Sequence, residues 1–236
     1  MGPIQNHRLQ KHRLQKQGLQ KQGLQKQGLQ NRRRTKRLLK VGMLQQNERS
    51  CSVASIAMLV NSARTLWNPS AFDEPVSQQE LLNKVGNGDW KSAVGPGGDG
   101  VELDDLAGLA RQSLCAYGFS RFEIEVVHVH RVTPGARMKA RRELTEIAHS
   151  PCRFIIANFL QGIYTEDSAG SVGHYAPVAA FDPQSRRALI LDPDPRGYRP
   201  YWVCEERFLE GMATRDESCG RSRGYLSVRI EPCAQG

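Results

Sequence analysis

The run from Cys51 to Ser62, CSVASIAMLVNS, is apolar almost all the way round a helix. A helix with one apolar stripe can lie on a surface, whereas one with no polar face has to be covered on every side. This segment therefore commits the chain to a fold in which other elements wrap a central helix, and 236 residues suffice to supply them. The polar stretch QQNER immediately before it makes the boundary sharp, with Cys51 close to the seam. That cysteine has two readings. It is an ordinary buried thiol, as free cysteines commonly are, or it is a nucleophile on the positive end of the helix, where unpaired N–H groups and the helix dipole favour a thiolate.

The net charge of +9 suggests a nucleic-acid or membrane partner until it is divided along the chain. Of the 33 Lys and Arg, twelve lie in residues 1–40, so the rest carries 21 against all 24 acidic residues. The basicity belongs to a tail, and no specific nucleic-acid partner is expected of the folded part. Within the tail, leucine recurs every five residues at Leu9, Leu14, Leu19, Leu24 and Leu29. Neither helix nor strand gathers that spacing on one face, so residues 1–40 read as a disordered, low-complexity tail and 41–236 as one domain. Weak attraction to RNA or anionic lipid is one use for such a tail; a translation start at Met43 would remove it. The chain lacks the apolar h-region of a secretory signal and any run of the roughly 18 apolar residues that a membrane span needs. Its six cysteines form no C-x-x-C, which excludes zinc-ribbon and thioredoxin-type motifs and fits reduced thiols in a cytoplasm.

Further along, SQQE at Ser77–Glu80 has the spacing of a capping box and opens a short helix. GNGDWKSAVGPGGDG, 86–100, reads as a glycine-rich loop without the Gly-Lys-Ser/Thr of a phosphate loop. Leu103, Leu106, Leu109, Ala110 and Leu114 follow helical spacing, and FEIEVVHV alternates as a strand does. Thr133-Pro134 is an N-cap and first residue for a helix to about Ala148. RFIIANFL, GHYAPVAAF, RALILD and RGYLSVRI read as strands, with DPQS as a hairpin turn and EERFLEGM as a helix before the last strand. Helices dominate the first half and strands the second, which predicts an α+β fold.

Two further features turn the thiol into chemistry. His174 opens one strand and Asp192 closes the next, so a hairpin can set them side by side. An aspartate on one imidazole nitrogen fixes the tautomer and leaves the other nitrogen for a thiol. Gln45, upstream of Cys51, could give its amide to a developing oxyanion, together with the Cys51 N–H. Each has a plain reading as a turn aspartate, a surface histidine and a polar loop residue; together they support acyl transfer through a thioester. His128 and His130 share one strand face and could ligate a metal with Cys115 or Cys152, but no four-ligand spacing accompanies them and an exposed strand face explains them better. Trp67, Trp90 and Trp202 read as packing residues, Trp90 also as a lid contact.

At this point the sequence resembles the catalytic domain of the phytochelatin synthases, over about residues 41–231. QQNERSCSVAS matches the family's glutamine six residues before a cysteine in a C-G-x-A-S context, and GHYAP its G-H-x-[SA]-P. Asp192 stands eighteen residues after the histidine, as the family's aspartate does; YRPYWV resembles Y-P-P-x-W-V and RGYLSV the closing R-G-[FY] strand. The resemblance implies a papain-like cysteine peptidase fold, with Cys51 in a helical N-terminal half and the histidine and aspartate on an antiparallel sheet. It implies Cys51 as nucleophile, His174 as base and acid, Asp192 as orienter and Gln45 as oxyanion donor, with Asn158, Gly173 and Arg223 binding the γ-glutamyl end of glutathione. Glycine would leave, and the γ-glutamylcysteinyl group would pass to water or to a second glutathione. No resident cofactor or metal ligand set is implied; heavy-metal ions such as Cd²⁺ and Zn²⁺ would enter as metal–thiolate co-substrate, and a homodimer stays open.

Departures from the pattern carry their own expectations. Ser52 replaces the glycine after the nucleophile, which would slightly crowd the acyl site. In DPDPRGY, Pro195 and Gly197 stand where the family has a basic pair, and Arg196 lies between them. The family's basic pair is expected to hold the acceptor glutathione, so hydrolysis should dominate, as in bacterial short forms that lack the Cys-rich regulatory region. Two rivals remain: another papain-like cysteine hydrolase or protease using the same three residues, and a thiol-rich metal-binding protein, against which the scattered cysteines argue.

Overall fold

The structure is a computed structural model, and it describes residues 35–166, 172–196 and 199–231. A helical segment, α1 (35–40), leads through a turn to α2 (Cys51–Trp67), followed by a 3₁₀ turn at Pro69–Phe72, α3 (Gln78–Val85), α4 (Gly88–Val94) and α5 (Leu103–Ala116). Then come β1 (Phe122–His128), α6 (Pro134–His149), β2 (Arg153–Leu160), α7 (Gln161–Thr165), β3 (Gly173–Asp182), β4 (Arg187–Ile190), β5 (Tyr201–Cys204), α8 (Glu205–Met212) and β6 (Gly224–Ile230). The strands form one six-stranded antiparallel sheet in the order β1-β6-β2-β3-β4-β5. The fold is α+β, as the order of helical and strand patterns predicts.

Helices cover both faces of the sheet, which is why its central strands β2 and β3 are buried along almost their whole length. In β2, Phe154 and Ile156 meet the α2–α5 side while Ile155, Ala157 and Phe159 meet the α6–α8 side, the period-two alternation of a strand buried twice. Helix α2 is the wrapped element that its composition demands: 14 of its residues are buried. Ser55 donates to the Tyr175 carbonyl on β3 at 3.1 Å, and Asn61 exchanges two hydrogen bonds with the Val76 backbone at 2.8 and 2.9 Å. Such polar groups inside an apolar core are tolerable where they are paired, as Ser55 and Asn61 are, and the pairing fixes the register of α2 against its neighbours.

The capping box at Ser77 and Glu80 forms in full, and α3 stops at Gly86, whose φ of 68° suits glycine. Thr133 caps α6, accepting from the Ala136 N–H at 3.1 Å. Asp182 closes the β3–β4 turn through Gln184 and Ser185.

Several expectations need correction. The glycine-rich stretch 86–100 contains α4, because Asn87 accepts from the Trp90 N–H at 2.9 Å and Asp89 sits in the first turn. Trp90 is 2% exposed and so is no lid. The boundary at residue 40 falls inside packed structure: Leu38, 1% exposed, and Val41 pack with Met58, Ala179 and Leu191. The leucine repeat lies outside the described residues. Strand β5 and helix α7 appear where no element was expected, and β4 ends at Ile190, so Asp192 stands in the loop beyond it.

Candidate active site

Cys51 is the first residue of α2 and 8% exposed. The preceding Ser50 turns its hydroxyl back to Asn47, donating to the carbonyl and accepting the N–H, both at 3.0 Å. It makes no side-chain cap, so Cys51 sits at a helix end that carries partial positive charge. Strand β3 begins at the other side of the cysteine and brings His174, 3% exposed.

His174 Nε2 donates to Asp192 Oδ1 at 2.7 Å, and the Cys51 thiol stands near enough to act on the charge of the ring; with Nε2 committed to Asp192, Nδ1 is the nitrogen left for sulfur. Burial acts to lower the His174 pKa, but the hydrogen bonds and charges of Asp192 and Cys51 outweigh it and raise it to about 10. Asp192 is fixed by two more donors, the Asp194 N–H at 2.9 Å on Oδ1 and the Tyr201 hydroxyl at 2.7 Å on Oδ2. Phe159 stands edge-on to the imidazole at 5.7 Å between centroids. The histidine is thus bonded to the carboxylate on one side, with the thiol near its ring.

Gln45 reaches the site because its backbone N–H donates to the Pro193 carbonyl at 2.8 Å, which ties the approach to Cys51 to the aspartate loop. Gln78 on α3 braces the same segment, donating to the Leu44 carbonyl at 2.8 Å and accepting from the Gln46 N–H at 3.3 Å. The Gln45 side chain is buried, and its Oε1 has no hydrogen-bond partner among the described residues.

These residues border a cleft of about 300 Å³ whose far wall carries Asn158, Gly173 and Arg223. Arg223, 5% exposed, donates to the Arg215 carbonyl at 3.0 Å and lies 3.4 Å from Asp216, while its Nε has no partner among the described residues. An unpaired donor on a buried cation is costly unless a ligand completes it. Gly173 is glycine because the guanidinium lies flat against it: an added Cβ would stand 2.6 Å from Nη2 and 3.0 Å from Cζ. A larger hollow of about 720 Å³ lies around Tyr117, Arg64 and Lys84, but it contains neither nucleophile nor unpaired buried polar atom.

All seven residues singled out for the site therefore border this cleft or, for Asp192, hold a residue that does. Ser52 does not crowd it: its hydroxyl accepts from Trp90 Nε1 at 3.3 Å, and the side chain is 1% exposed. Arg196 borders the cleft and binds Asp194 through Nε and Nη2. Burial acts to raise the Asp194 pKa, but Arg196 and Gln161 outweigh it and hold it at about 2. Gln78, Asp194, Gln161 and Tyr201 were not singled out in the sequence. Only the position of Asp194, two residues after an orienting aspartate, offered a local signal.

The two strand histidines are satisfied away from the cleft. His128 contacts the Ser222 carbonyl and Asp104, and His130 contacts the Ser222 hydroxyl. Among the described residues no group of three or more His, Cys, Asp or Glu could hold a metal ion, and no helix is long and apolar enough to cross a membrane. The five cysteines among the described residues are free.

A sequence model of the phytochelatin synthase family matches residues 5–225. The chain is 28% identical over 74 residues to glutathione gamma-glutamylcysteinyltransferase 1 of Arabidopsis thaliana, covering 31% of this chain and 15% of that protein. It is 30% identical over 88 residues to the protein of that name in Triticum aestivum, covering 37% and 17%, and 36% identical over 56 residues to the one in Lotus japonicus, covering 24% and 11%. The alignments thus span less than a fifth of these relatives' length.

Proposed function

The chain belongs to the phytochelatin synthase family, and from that premise we propose that it removes the glycine of glutathione through a γ-glutamylcysteinyl thioester on Cys51, passing the acyl group to water or to a second glutathione. The observation that carries the reading is the buried His174–Asp192 hydrogen bond beside Cys51, in a cleft that also holds an incompletely paired Arg223. A γ-glutamyl group carries a free α-carboxylate, and a guanidinium is the natural partner for one.

In this mechanism the Cys51 sulfur attacks the carbonyl of the cysteinyl–glycine bond as a thiolate, its proton having passed to His174. The charge that develops on oxygen is taken by the Cys51 N–H and the Gln45 amide. His174, which holds its proton at neutral pH, gives it to the departing glycine nitrogen, and the C–N bond breaks. Neutral His174 then removes a proton from water or from the acceptor as that nucleophile attacks the thioester, and the sulfur leaves as thiolate. Asp192 keeps the ring in one orientation throughout. Free cysteines and a thiol substrate suit a reducing, cytoplasmic setting.

Hydrolysis outruns transfer in this reading. Pro195 supplies no cation for an acceptor, and the charge of Arg196 is balanced by Asp194; Gly197 lies outside the described residues. One lost charge-assisted hydrogen bond is worth about 1.5–3 kcal/mol, or roughly a ten- to hundredfold weaker acceptor complex. Cd²⁺ and Zn²⁺ take part as thiolate complexes of the acceptor. Incubation with glutathione, with and without Cd²⁺, followed by mass analysis, tests the proposal: γ-glutamylcysteine in excess over oligomers is the expected result, oligomers in excess would refute the hydrolytic bias, and no release of glycine would refute the reaction. A further test is Gly197→Lys, which should shift products toward oligomers.

A further inference from the structure

Tyr175 follows His174 on β3 and has no part in the reaction as described. It is 4% exposed and faces Asn158 across the β2–β3 ladder. Its hydroxyl makes two contacts, donating to the Val101 carbonyl at 2.9 Å and lying 3.2 Å from Asn158 Nδ2. These two bonds depend on each other. A phenol has one hydrogen, and a backbone carbonyl can only accept. With that hydrogen committed to Val101, the tyrosine oxygen can only accept from Asn158. The NH₂ edge of the amide is therefore held at Tyr175, and the carbonyl Oδ1 is turned away from it. Oxygen and nitrogen of an amide are told apart by this kind of network and not by atomic positions. Burial raises the Tyr175 pKa well above its ordinary value, so the hydrogen on which the argument turns stays in place.

Asn158, Arg223 and Asp216 all border the cleft, Arg223 lies 3.4 Å from Asp216, and Tyr175 lies within the field of both charged groups. An acceptor oxygen beside a guanidinium and a carboxylate is a site for the head group of an α-amino acid. The guanidinium takes its carboxylate, while the amide oxygen and the aspartate take its ammonium. We propose that Tyr175 is a positioning residue that locks Asn158 as a hydrogen-bond acceptor, so that the cleft selects ligands with a free α-ammonium beside the carboxylate. The same hydroxyl tethers the segment 99–101, which forms one wall of the cleft. The inference rests on the reading of Asn158 and Arg223 as the residues that hold the γ-glutamyl end.

The test is calorimetric binding in a Cys51→Ser background, which holds ligand without turnover. Glutathione is compared with N-acetylglutathione for the parent, Tyr175→Phe, Asn158→Ala and the double variant. The parent should bind the free amine at least about tenfold tighter, the worth of one charge-assisted hydrogen bond. Tyr175→Phe should abolish most of that preference, and the double variant should lose no more than Asn158→Ala alone. A preference unchanged in Tyr175→Phe, or additive losses in the double variant, would overturn the proposal. Asn158→Asp serves should Tyr175→Phe fail to fold: a carboxylate accepts on both edges, so the preference must persist, and its loss would count against the idea. Turnover of glutathione by the unaltered protein is scored separately. Selective binding without turnover would refute the proposed reaction and leave this inference standing, whereas no binding of either ligand would remove both.

Discussion

Replacing Asp192 by asparagine separates the charge of this side chain from its geometry. Oδ1 accepts from His174 Nε2 at 2.7 Å and from the Asp194 N–H at 2.9 Å, while Oδ2 accepts from the Tyr201 hydroxyl at 2.7 Å. A backbone N–H can only donate, so the asparagine must place its oxygen where Oδ1 stands, and its NH₂ falls beside Tyr201, whose hydroxyl can rotate to accept. His174 then keeps its orientation and its donor and loses only the negative charge. A hydrogen bond to a charged group is worth about 1.5–3 kcal/mol and a neutral one about 0.5–1.5, so the loss is about 1–1.5 kcal/mol, or roughly tenfold in kcat/KM at neutral pH. Because Asp192 is among the causes that raise the His174 pKa to about 10, the alkaline limb of the pH profile should move to lower pH. The assay is glycine release from glutathione between pH 6 and pH 11, with circular dichroism as the control for folding. A loss of roughly 10⁴, as occurs when such a swap turns the imidazole to the wrong tautomer, would show that the Asp194 N–H does not hold the amide; an unmoved alkaline limb would refute the electrostatic role.

Gly173→Ala places a methyl group 2.6 Å from Arg223 Nη2, so KM for glutathione should rise about tenfold, the worth of one charge-assisted bond, with little change in melting temperature. Gln78→Leu removes both bonds that brace residues 44–46; kcat should fall severalfold while substrate binding, measured in the Cys51→Ser background, holds. Leu38→Ala should destabilise the protein by about 2–5 kcal/mol, and truncation through residue 40 should do at least as much harm, since Leu38 is 1% exposed; an unchanged denaturation midpoint in either would contradict the packing. His174 has a folded pKa raised from 6.5 to about 10, so its contribution to stability is complete below its unfolded pKa and is lost as pH rises through the folded one. Denaturation midpoints between pH 6 and pH 11 should show that loss in the parent and a flatter profile in His174→Gln.

Patterns local in sequence were legible: the all-round apolar α2, the capping box at Ser77, the Thr133-Pro134 start of α6 and the alternation of the strands each follow from a few adjacent residues. The seven candidate residues were picked out for another reason, since they stand in short motifs at fixed spacing. Contacts between distant segments were not. Nothing near Gln78 says that its amide will bridge Leu44 and Gln46, more than thirty residues upstream. Nothing near Tyr175 says that its hydroxyl will meet Val101, 74 residues away. Helix α4 was obscured by the glycines around it, although its cap and first-turn acid were both in view. Leu38 was misassigned because five-residue spacing was extended past the repeat into a segment that packs.

The central claim is that the acyl group of glutathione rests on the sulfur of Cys51. Intact-protein mass spectrometry after brief mixing with glutathione and acid quench tests it without reference to the final products. The account predicts a mass gain of one γ-glutamylcysteinyl group, mapped by peptide digestion to Cys51, lost on treatment with hydroxylamine and absent from Cys51→Ser. An adduct that retains glycine, one that maps to another cysteine, or product formed by Cys51→Ser at the parent rate would contradict it.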